Sequence, residues 1–182
     1  VSPATVRRDL KALESQGLVR LFHGGAMMPS HDELNVPLSI RENENASLKI
    51  RIARKAAKMV PAKASIMLDA SSTAMYIANY LDPGKELTVF TNCLRTATSL
   101  CERNINTYCI GGSIVRLSLA TTGALAEANV NMTQVDYLFF SSQGLDKDGQ
   151  ITDRSEMETM LRRTMIKHAQ RSYFLCDSGK FG

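Results

Sequence analysis

Tryptophan is absent from this 182-residue chain, and aromatic residues make up only 6% of it. No apolar run approaches the roughly 20 residues that a helix needs to cross a bilayer, so a spanning segment of that kind is excluded. The four cysteines, Cys93, Cys101, Cys109 and Cys176, lack the spacing of metal ligands. Three of them lie in apolar runs, which favours buried free thiols and a reducing cytoplasm. With 44% hydrophobic and 22% charged residues, the composition excludes a disordered, collagen-like or disulfide-scaffold protein.

The two ends of the sequence suggest a piece of a longer protein. The first residue is Val1 rather than Met, and no charged-then-apolar signal segment follows it. The last residues, 176–182, resemble the end of a strand that runs into a loop. We therefore expect a chain truncated at both ends, with room for one domain and a small appendage.

Positive charge is concentrated in the first third of the chain. Residues 1–63 carry 11 Lys or Arg and 6 Asp or Glu, whereas residues 64–182 carry 11 and 12. This asymmetry indicates an N-terminal part that binds a polyanion and a body with a different task. A solvated basic face is the simpler alternative when the charge is considered alone.

A well-delimited helix is predicted over residues 2–17. Ser2 suits the N-cap, Pro3 the first helical position, and Gly17 the C-terminal stop. One apolar stripe is formed by Val6, Leu10 and Leu13. The opposite face carries side chains that can reach phosphates or base edges: Thr5, Arg7, Arg8 and Lys11.

Two short strands, 18–22 and 26–28, follow this helix around a Gly24-Gly25 turn and predict a hairpin. The hairpin carries Arg20 and His23 near its tip. A basic helix followed by such a hairpin is typical of the second half of a winged helix-turn-helix, with the helix in the major groove and the wing on the backbone or minor groove. An ordinary surface helix packed on a hairpin is the alternative.

The remainder divides into a polar, turn-prone linker at 29–45 and an α/β body at 46–182, after an N-terminal domain at 1–28. In the body, short apolar strands alternate with amphipathic helices. The predicted strands are 65–68, 87–90, 105–110, 137–140 and 173–176, and the predicted helices are 50–60, 72–81, 94–102, 123–133 and 155–170. This alternation predicts a mostly parallel sheet in a three-layer α/β fold.

Small and polar residues follow all five predicted strands, where ligands bind in such sheets. These residues are Asp69 to Thr73, Thr91-Asn92, Gly111-Gly112-Ser113, Ser141-Ser142-Gln143-Gly144 and Asp177 to Lys180. Turns favour the same residue types, so one such end proves little. Five together favour a ligand crevice.

The chemistry of this crevice suits a phosphorylated polyol. The hydroxyls of Ser71, Ser72 and Thr73, with the amides of the helix that follows, can hold a phosphate. Lys180 can offer an ammonium group to the phosphate or to a sugar oxygen. Asp69 and Asn92 can bind sugar hydroxyls, Gly111-Gly112 permits close approach of the backbone, and Gln143 and Gly144 belong to the same set. No Gly-x-Gly-x-x-Gly nucleotide fingerprint occurs, and we expect no cofactor and no metal.

Taken together, these motifs resemble the DeoR family of bacterial transcriptional repressors over essentially residues 2–182. The N-terminal string is Ser2-x-x-Thr5-x-Arg7-Arg8-Asp9-Leu10-x-x-Leu13, followed by Gly17-Leu18 and His23-Gly24-Gly25-Ala26. The body carries Asp69-Ala70-Ser71-Ser72-Thr73, Thr91-Asn92, Gly111-Gly112, Gly144-Leu145-Asp146 and Asp177-Ser178-Gly179-Lys180-Phe181-Gly182. The first of these loops departs from the family's Asp-Ser-Gly-Thr-Thr at Ala70 and Ser71.

The resemblance implies that Ser2, Thr5, Arg7, Arg8 and the wing at residues 23–25 contact DNA. It also implies a sensor body related in fold to ribose-5-phosphate isomerase, glucosamine-6-phosphate deaminase and the CoA transferases. The first helices of the DNA-binding domain would precede Val1, so we expect this piece to bind DNA poorly. The family works as dimers or tetramers on operator DNA.

The leading hypothesis is a repressor of sugar metabolism whose body senses a phosphorylated sugar. The alternative is a sugar-phosphate isomerase or deaminase, for which the candidate bases are Asp69, Asp146, Glu156 and Asp177. A third possibility is an oligomerisation module without a ligand. For the helix at 155–170 we predict Met157, Met160, Leu161 and Met165 in the core, and Arg162 and Arg163 on a solvated face.

Overall fold

Helices and strands alternate along the body, after an N-terminal helix and hairpin. The computed structural model describes residues 2–16, 18–22, 25–27 and 36–181. The helices are α1 (Pro3–Ser15), α2 (Leu38–Arg41), α3 (Ala46–Met59), α4 (Ser72–Ala78), α5 (Leu94–Glu102), α6 (Ala124–Asn131) and α7 (Glu156–Lys167). The strands are β1 (Arg20–Phe22), β2 (Gly25–Met27), β3 (Ser65–Leu68), β4 (Thr88–Thr91), β5 (Asn106–Cys109), β6 (Ser113–Val115), β7 (Ala120–Thr122), β8 (Val135–Phe140), β9 (Gly144–Leu145), β10 (Ile151–Thr152) and β11 (Ala169–Phe174). Short 3₁₀ helices span Pro83–Lys85 and Ser178–Lys180.

The predicted N-terminal helix and hairpin are both confirmed. The Ser2 hydroxyl caps α1 by accepting a hydrogen bond from the Thr5 amide at 3.2 Å. Strands β1 and β2 pair antiparallel, with Phe22 opposite Gly25, so this glycine lies in a strand rather than in the turn. The Glu14 carboxylate accepts from a main-chain amide of β1 at 3.0 Å and thereby links helix to hairpin.

Five parallel strands form the central sheet, in the order β11-β8-β3-β4-β5. Both faces of its middle strand, β3, are covered, which explains the unbroken apolar run in its sequence. Ile66 and Leu68 pack with α3 and α4, whereas Met67 packs with α6 and α7. The predicted α/β fold, with a sheet between two helical layers, is therefore confirmed.

Two antiparallel hairpins, β6–β7 and β9–β10, interrupt this alternation and were not predicted. Their strands are only two or three residues long, too short for a period of two to be recognised in sequence. The first hairpin follows β5 and the second follows β8, so both lie at the carboxyl edge of the sheet. They therefore border the region where a ligand is expected.

The structure corrects the predictions about burial of the cysteines and of two methionines. Cys93 is buried and Cys176 half-buried, but Cys101 and Cys109 are exposed, so burial of three thiols is wrong. On α7, Leu161 and Met165 are buried as predicted, whereas Met157 and Met160 are each 49% exposed. The helix turns these two methionines away from the sheet.

Candidate functional site

A polar cavity of about 220 Å³ lies at the carboxyl edge of the sheet. Parallel strands bring their carboxyl ends to one edge, so loops that are distant in sequence meet there. The cavity is lined by Val36, Arg41, Glu44, Lys49, Ser71, Ser72, Val115, Leu117, Ser118, Ser141, Ser142, Gln143, Asp153, Arg154, Ser155, Glu158, Arg162 and Lys180.

The predicted effector residues divide into two groups around this cavity. Ser71, Ser72, Gln143 and Lys180 line it. The others are not part of its lining: Asp69, Thr73, Asn92, Gly111, Gly112 and Gly144.

The buried Asp69 carboxylate holds together loops that border the cavity. Asp69 is 2% exposed, and its carboxylate accepts from the amides of Ser71 at 3.1 Å and Ser141 at 3.3 Å. Arg162 Nε donates to the same carboxylate at 3.1 Å, and Arg162 Nη1 donates to Asp153 at 2.8 Å. Burial acts to lower the pKa of the Arg162 guanidinium, but the two carboxylates outweigh this effect and raise it. The prediction of a solvated Arg162 is therefore wrong.

Asn92 and Gly112 serve contacts within the chain. The Asn92 side chain donates to the carbonyl of Thr121 at 3.0 Å and so fastens hairpin β6–β7 to the end of β4. Gly112 has φ +139°, and a Cβ there would lie 2.5 Å from the Thr122 carbonyl oxygen. The backbone that approaches Gly112 closely is therefore β7, which requires glycine without any ligand. A Cβ at Gly111 would meet only the amide of Asn129 at 3.3 Å.

The loop between β3 and α4 presents hydroxyl groups at the cavity. The Ser71 hydroxyl caps α4 by accepting from the Ala74 amide at 3.1 Å. Thr73 is fully buried, and its hydroxyl has no hydrogen-bond partner among the described residues. Since α4 has only seven residues, cationic side chains rather than this helix must supply most of the positive charge.

Two lysines, of which Lys49 is buried and Lys180 half-buried, bring ammonium groups to the cavity. Lys180 Nζ donates to the Ser141 hydroxyl at 2.6 Å and to the Ser142 carbonyl at 2.7 Å. Lys49, which is 4% exposed, donates to the carbonyl of Arg41. Burial lowers the pKa of both ammonium groups, and the charge of Lys180 lowers that of Lys49 further. An anion in the cavity would relieve this repulsion.

One acidic side chain, Glu158, faces the cavity from α7. Its carboxylate accepts from the Ser118 hydroxyl of the β6–β7 hairpin at 2.8 Å. Burial raises the pKa of Glu158, while the Ser118 hydrogen bond and the charges of Arg41 and Arg162 oppose that shift. The cavity therefore combines cations suited to a phosphate with a carboxylate that can accept from hydroxyl groups.

Sequence reasoning missed seven charged lining residues: Arg41, Glu44, Lys49, Asp153, Arg154, Glu158 and Arg162. The first two lie in the segment that was assigned to the linker, which packs onto the body through Leu38 (1% exposed). The spacing of Glu158 and Arg162 carried a usable signal, because residues four apart share one helix face. Charged residues on the face that also carries Leu161 and Met165 indicate covered side chains with polar partners, which in the structure are Ser118 for Glu158 and Asp69 and Asp153 for Arg162.

The predicted DNA-binding residues of α1 lie on its exposed surface. Arg7, Arg8 and Lys11 are exposed and flank a groove between the helix and strands β1 and β2. Thr5 is partly covered by its hydrogen bond to the capping Ser2 hydroxyl at 2.9 Å. The Arg20 side chain, His23 and Gly24 lie outside the described part of the chain.

No helix within the described ranges is long and apolar enough to cross a membrane. The same residues contain no cluster of His, Cys, Asp and Glu that could hold a metal ion.

Comparison with known proteins identifies the class. The model of the DeoR C-terminal sensor domain matches residues 44–182, and that of the DeoR-like helix-turn-helix domain matches residues 1–32. The whole chain is 36% identical to the L-fucose operon activator of Haemophilus influenzae, covering 73% of it. It is 30% identical to the glycerol-3-phosphate regulon repressor of Escherichia coli, covering 72% of it.

Solved structures of other proteins share the α/β fold of this chain. Ribose 5-phosphate isomerase A from Methanocaldococcus jannaschii has a TM-score of 0.56 at 14% identity, over 76% of this chain and 55% of that one. The translation initiation factor eIF-2B of Pyrococcus horikoshii has a TM-score of 0.56 at 17% identity, over 76% and 49%. The chain spans about half the length of these structures, and the likeness concerns the fold alone.

A sensor domain joined to a DNA-reading helix defines a transcriptional regulator, and the enzyme alternative is not favoured. The chain belongs to the DeoR family.

Proposed function

We propose that the cavity at the carboxyl edge of the sheet binds a phosphorylated sugar, which controls the binding of operator DNA by the N-terminal unit. The observation that carries this proposal is that a buried lysine, Lys49, and a half-buried lysine, Lys180, line one small cavity together with the half-buried carboxylate of Glu158. Lys180 and Lys49 suit a phosphate, and Glu158 suits the hydroxyl groups of a polyol.

The lining and size of the cavity support a small polar ligand. Ser71 and Ser72 add hydroxyl donors beside Lys180, and Gln143 adds an amide that can both donate and accept. A volume of about 220 Å³ lies below the roughly 300–1,000 Å³ of pockets for drug-sized ligands. In this arrangement Asp69, Asn92 and Gly112 hold the loops and the hairpin that border the cavity.

The names of the relatives agree with this class of ligand. One is named for glycerol 3-phosphate, a phosphorylated polyol, and another for the operon of a sugar, L-fucose. The first is a repressor and the second an activator. We infer repression for this chain, with Arg7, Arg8 and Lys11 of α1, Arg20 and the predicted wing at residues 23–25 as the DNA contacts.

The proposed mechanism is linkage. A ligand that binds one arrangement of the sensor more tightly shifts the protein toward that arrangement, and the affinity for DNA changes with it. Operators with repeated half-sites require two DNA-reading units, so we propose a dimer or tetramer in the cytoplasm.

Calorimetry and thermal-shift measurements with phosphorylated sugars and polyols test the proposal, with the unphosphorylated compounds as controls. We expect a phosphorylated compound to bind below millimolar concentration. Lys180→Met should weaken that binding by about 10- to 100-fold, because a hydrogen bond to a charged group contributes about 1.5–3 kcal/mol. Lys167→Met, at the exposed end of α7, is the matched control and should bind as the unmodified protein does. The proposal fails if no phosphorylated compound binds, or if both variants bind equally well.

A further inference from the structure

The segment from Val36 to Asn45 is built into the cavity rather than running past it. Its Leu38 amide donates to the Leu117 carbonyl of hairpin β6–β7 at 2.8 Å. The carbonyl of Glu42 accepts from the Tyr76 hydroxyl at 3.0 Å. The segment is thus held on both sides, by the hairpin and by α4.

Arg41 is the residue of this segment that reaches the cavity with a cationic side chain. Its Nε donates to the Val36 carbonyl at 2.9 Å, and its own carbonyl accepts from the buried Lys49 ammonium. Among the described residues, no carboxylate forms an ion pair with the Arg41 guanidinium. Both Nη groups therefore remain available to a ligand in the cavity.

The charge of Arg41 is felt by other groups that line the cavity. It contributes to lowering the pKa of Lys180 and of Lys49, after the larger effect of burial. It opposes the increase that burial causes in the pKa of Glu158. Arg41 therefore shares one electrostatic environment with the proposed phosphate-binding lysines.

The segment also has a particular place in the chain. Only residues 28–35 separate β2, the last strand of the N-terminal hairpin, from Val36. A change in the order or position of the segment therefore acts on the chain that leads directly to the DNA-reading unit.

We propose that Arg41 binds the anionic group of the effector and couples occupancy of the cavity to the order of residues 36–45. This inference rests on the proposed function and assigns the coupling role to one side chain. A bound anion fixes the guanidinium, and the guanidinium fixes the Val36 carbonyl at the start of the segment. An effector then stabilises one arrangement of the chain between sensor and DNA-reading unit, as linkage requires.

Hydrogen–deuterium exchange of the segment tests the coupling. The amides of Arg41 and Glu42 donate to the carbonyls of Pro37 and Leu38 at 3.0 and 2.8 Å, so their exchange reports opening of the segment. Inorganic phosphate and glycerol 3-phosphate are the probes, and calorimetry fixes the concentration that saturates each variant. We expect either probe to slow exchange across residues 36–45 several-fold.

Two variants separate binding from coupling. In Arg41→Met, affinity should fall by about tenfold or more, and the slowing of exchange should disappear even at saturation. In Lys180→Met, affinity should fall while the slowing at saturation remains. Arg51→Met, an exposed arginine of α3 outside the cavity lining, is the matched control and should behave as the unmodified protein does.

The outcomes also separate this inference from the proposed function. If a probe binds but exchange slows equally in Arg41→Met, or does not slow in the unmodified protein, the coupling role is wrong and the sensor site stands. If neither these probes nor any of the phosphorylated compounds binds, the sensor site and the coupling role fail together.

Discussion

Replacing Arg162 by methionine should destabilise the protein by about 3 kcal/mol, the lower end of the 3–5 kcal/mol for breaking a buried ion pair. Arg162 is 8% exposed and donates to Asp69 and Asp153 at 3.1 and 2.8 Å. Its loss leaves the Asp69 carboxylate, at 2% exposure, with only two main-chain amide donors. We choose the lower end because these amides remain, and because Asp153 is only partly buried.

Equilibrium unfolding in urea measures this effect, provided that the dependence of the unfolding free energy on urea concentration is the same in both proteins. Arg163→Met is the matched control, since Arg163 is the exposed neighbour on the same helix and its loss should stay within about 0.5 kcal/mol. In an Asp69→Asn background the effect of Arg162→Met should shrink by about 2 kcal/mol, because the uncharged amide no longer requires a partner. A loss below about 1 kcal/mol for Arg162→Met, or no coupling in this cycle, would refute the anchoring role.

Three further outcomes are expected. Burial raises the pKa of Glu158, so the contribution of this side chain to stability is complete below the ordinary carboxyl pKa and is lost as pH rises through the folded-state pKa. Glu158→Gln should therefore become more stable relative to the unmodified protein as pH rises from 4 to 8. Urea unfolding at several pH values measures this difference, and a difference that falls with pH would contradict the prediction. Gly112→Ala should lower the free energy of unfolding by about 2–4 kcal/mol, because the new Cβ meets a main-chain oxygen at a positive φ. Gly149→Ala, at φ +78° in open space, is the control and should lower it by only about 1 kcal/mol. Equal losses in the two variants would contradict the steric argument. A thiol reagent should modify Cys101 in the folded protein but Cys93 only after unfolding, as mass spectrometry of the labelled peptides can show.

The sequence predicted the sheet well because its signal is local. Strand β3 and helix α5 lie at the predicted residues, 65–68 and 94–102, since continuous apolar runs and helical spacing need no knowledge of the rest of the chain. The β6–β7 hairpin was missed because its pairing depends on tertiary contacts. One of these is the bond from the Asn92 side chain to the Thr121 carbonyl.

The candidate site was predicted only in part, for a related reason. Strand ends identify an edge of the sheet, and Ser71, Ser72 and Lys180 do line the cavity at that edge. They do not identify what packs over the edge, and Arg41 comes from a polar stretch that has the composition of a linker. Arg162 was placed on a solvated face because its buried partner Asp69 lies 93 residues away in the sequence.

The four carboxylates that the sequence offered as candidate bases lie outside the lining of the cavity. A general base needs a carboxylate within reach of the proton that it removes. Asp69 accepts hydrogen bonds from Arg162 and from two main-chain amides. Asp146 accepts from two main-chain amides in an exposed turn. Asp177 accepts from the Asn45 side chain and from an amide of the 3₁₀ helix that it caps. Glu156 is exposed in the first turn of α7 and does not line the cavity. The candidate bases predicted from the sequence thus hold loops or face solvent. Glu158, which the sequence analysis did not name, does line the cavity, and its carboxylate accepts from the Ser118 hydroxyl of the β6–β7 hairpin.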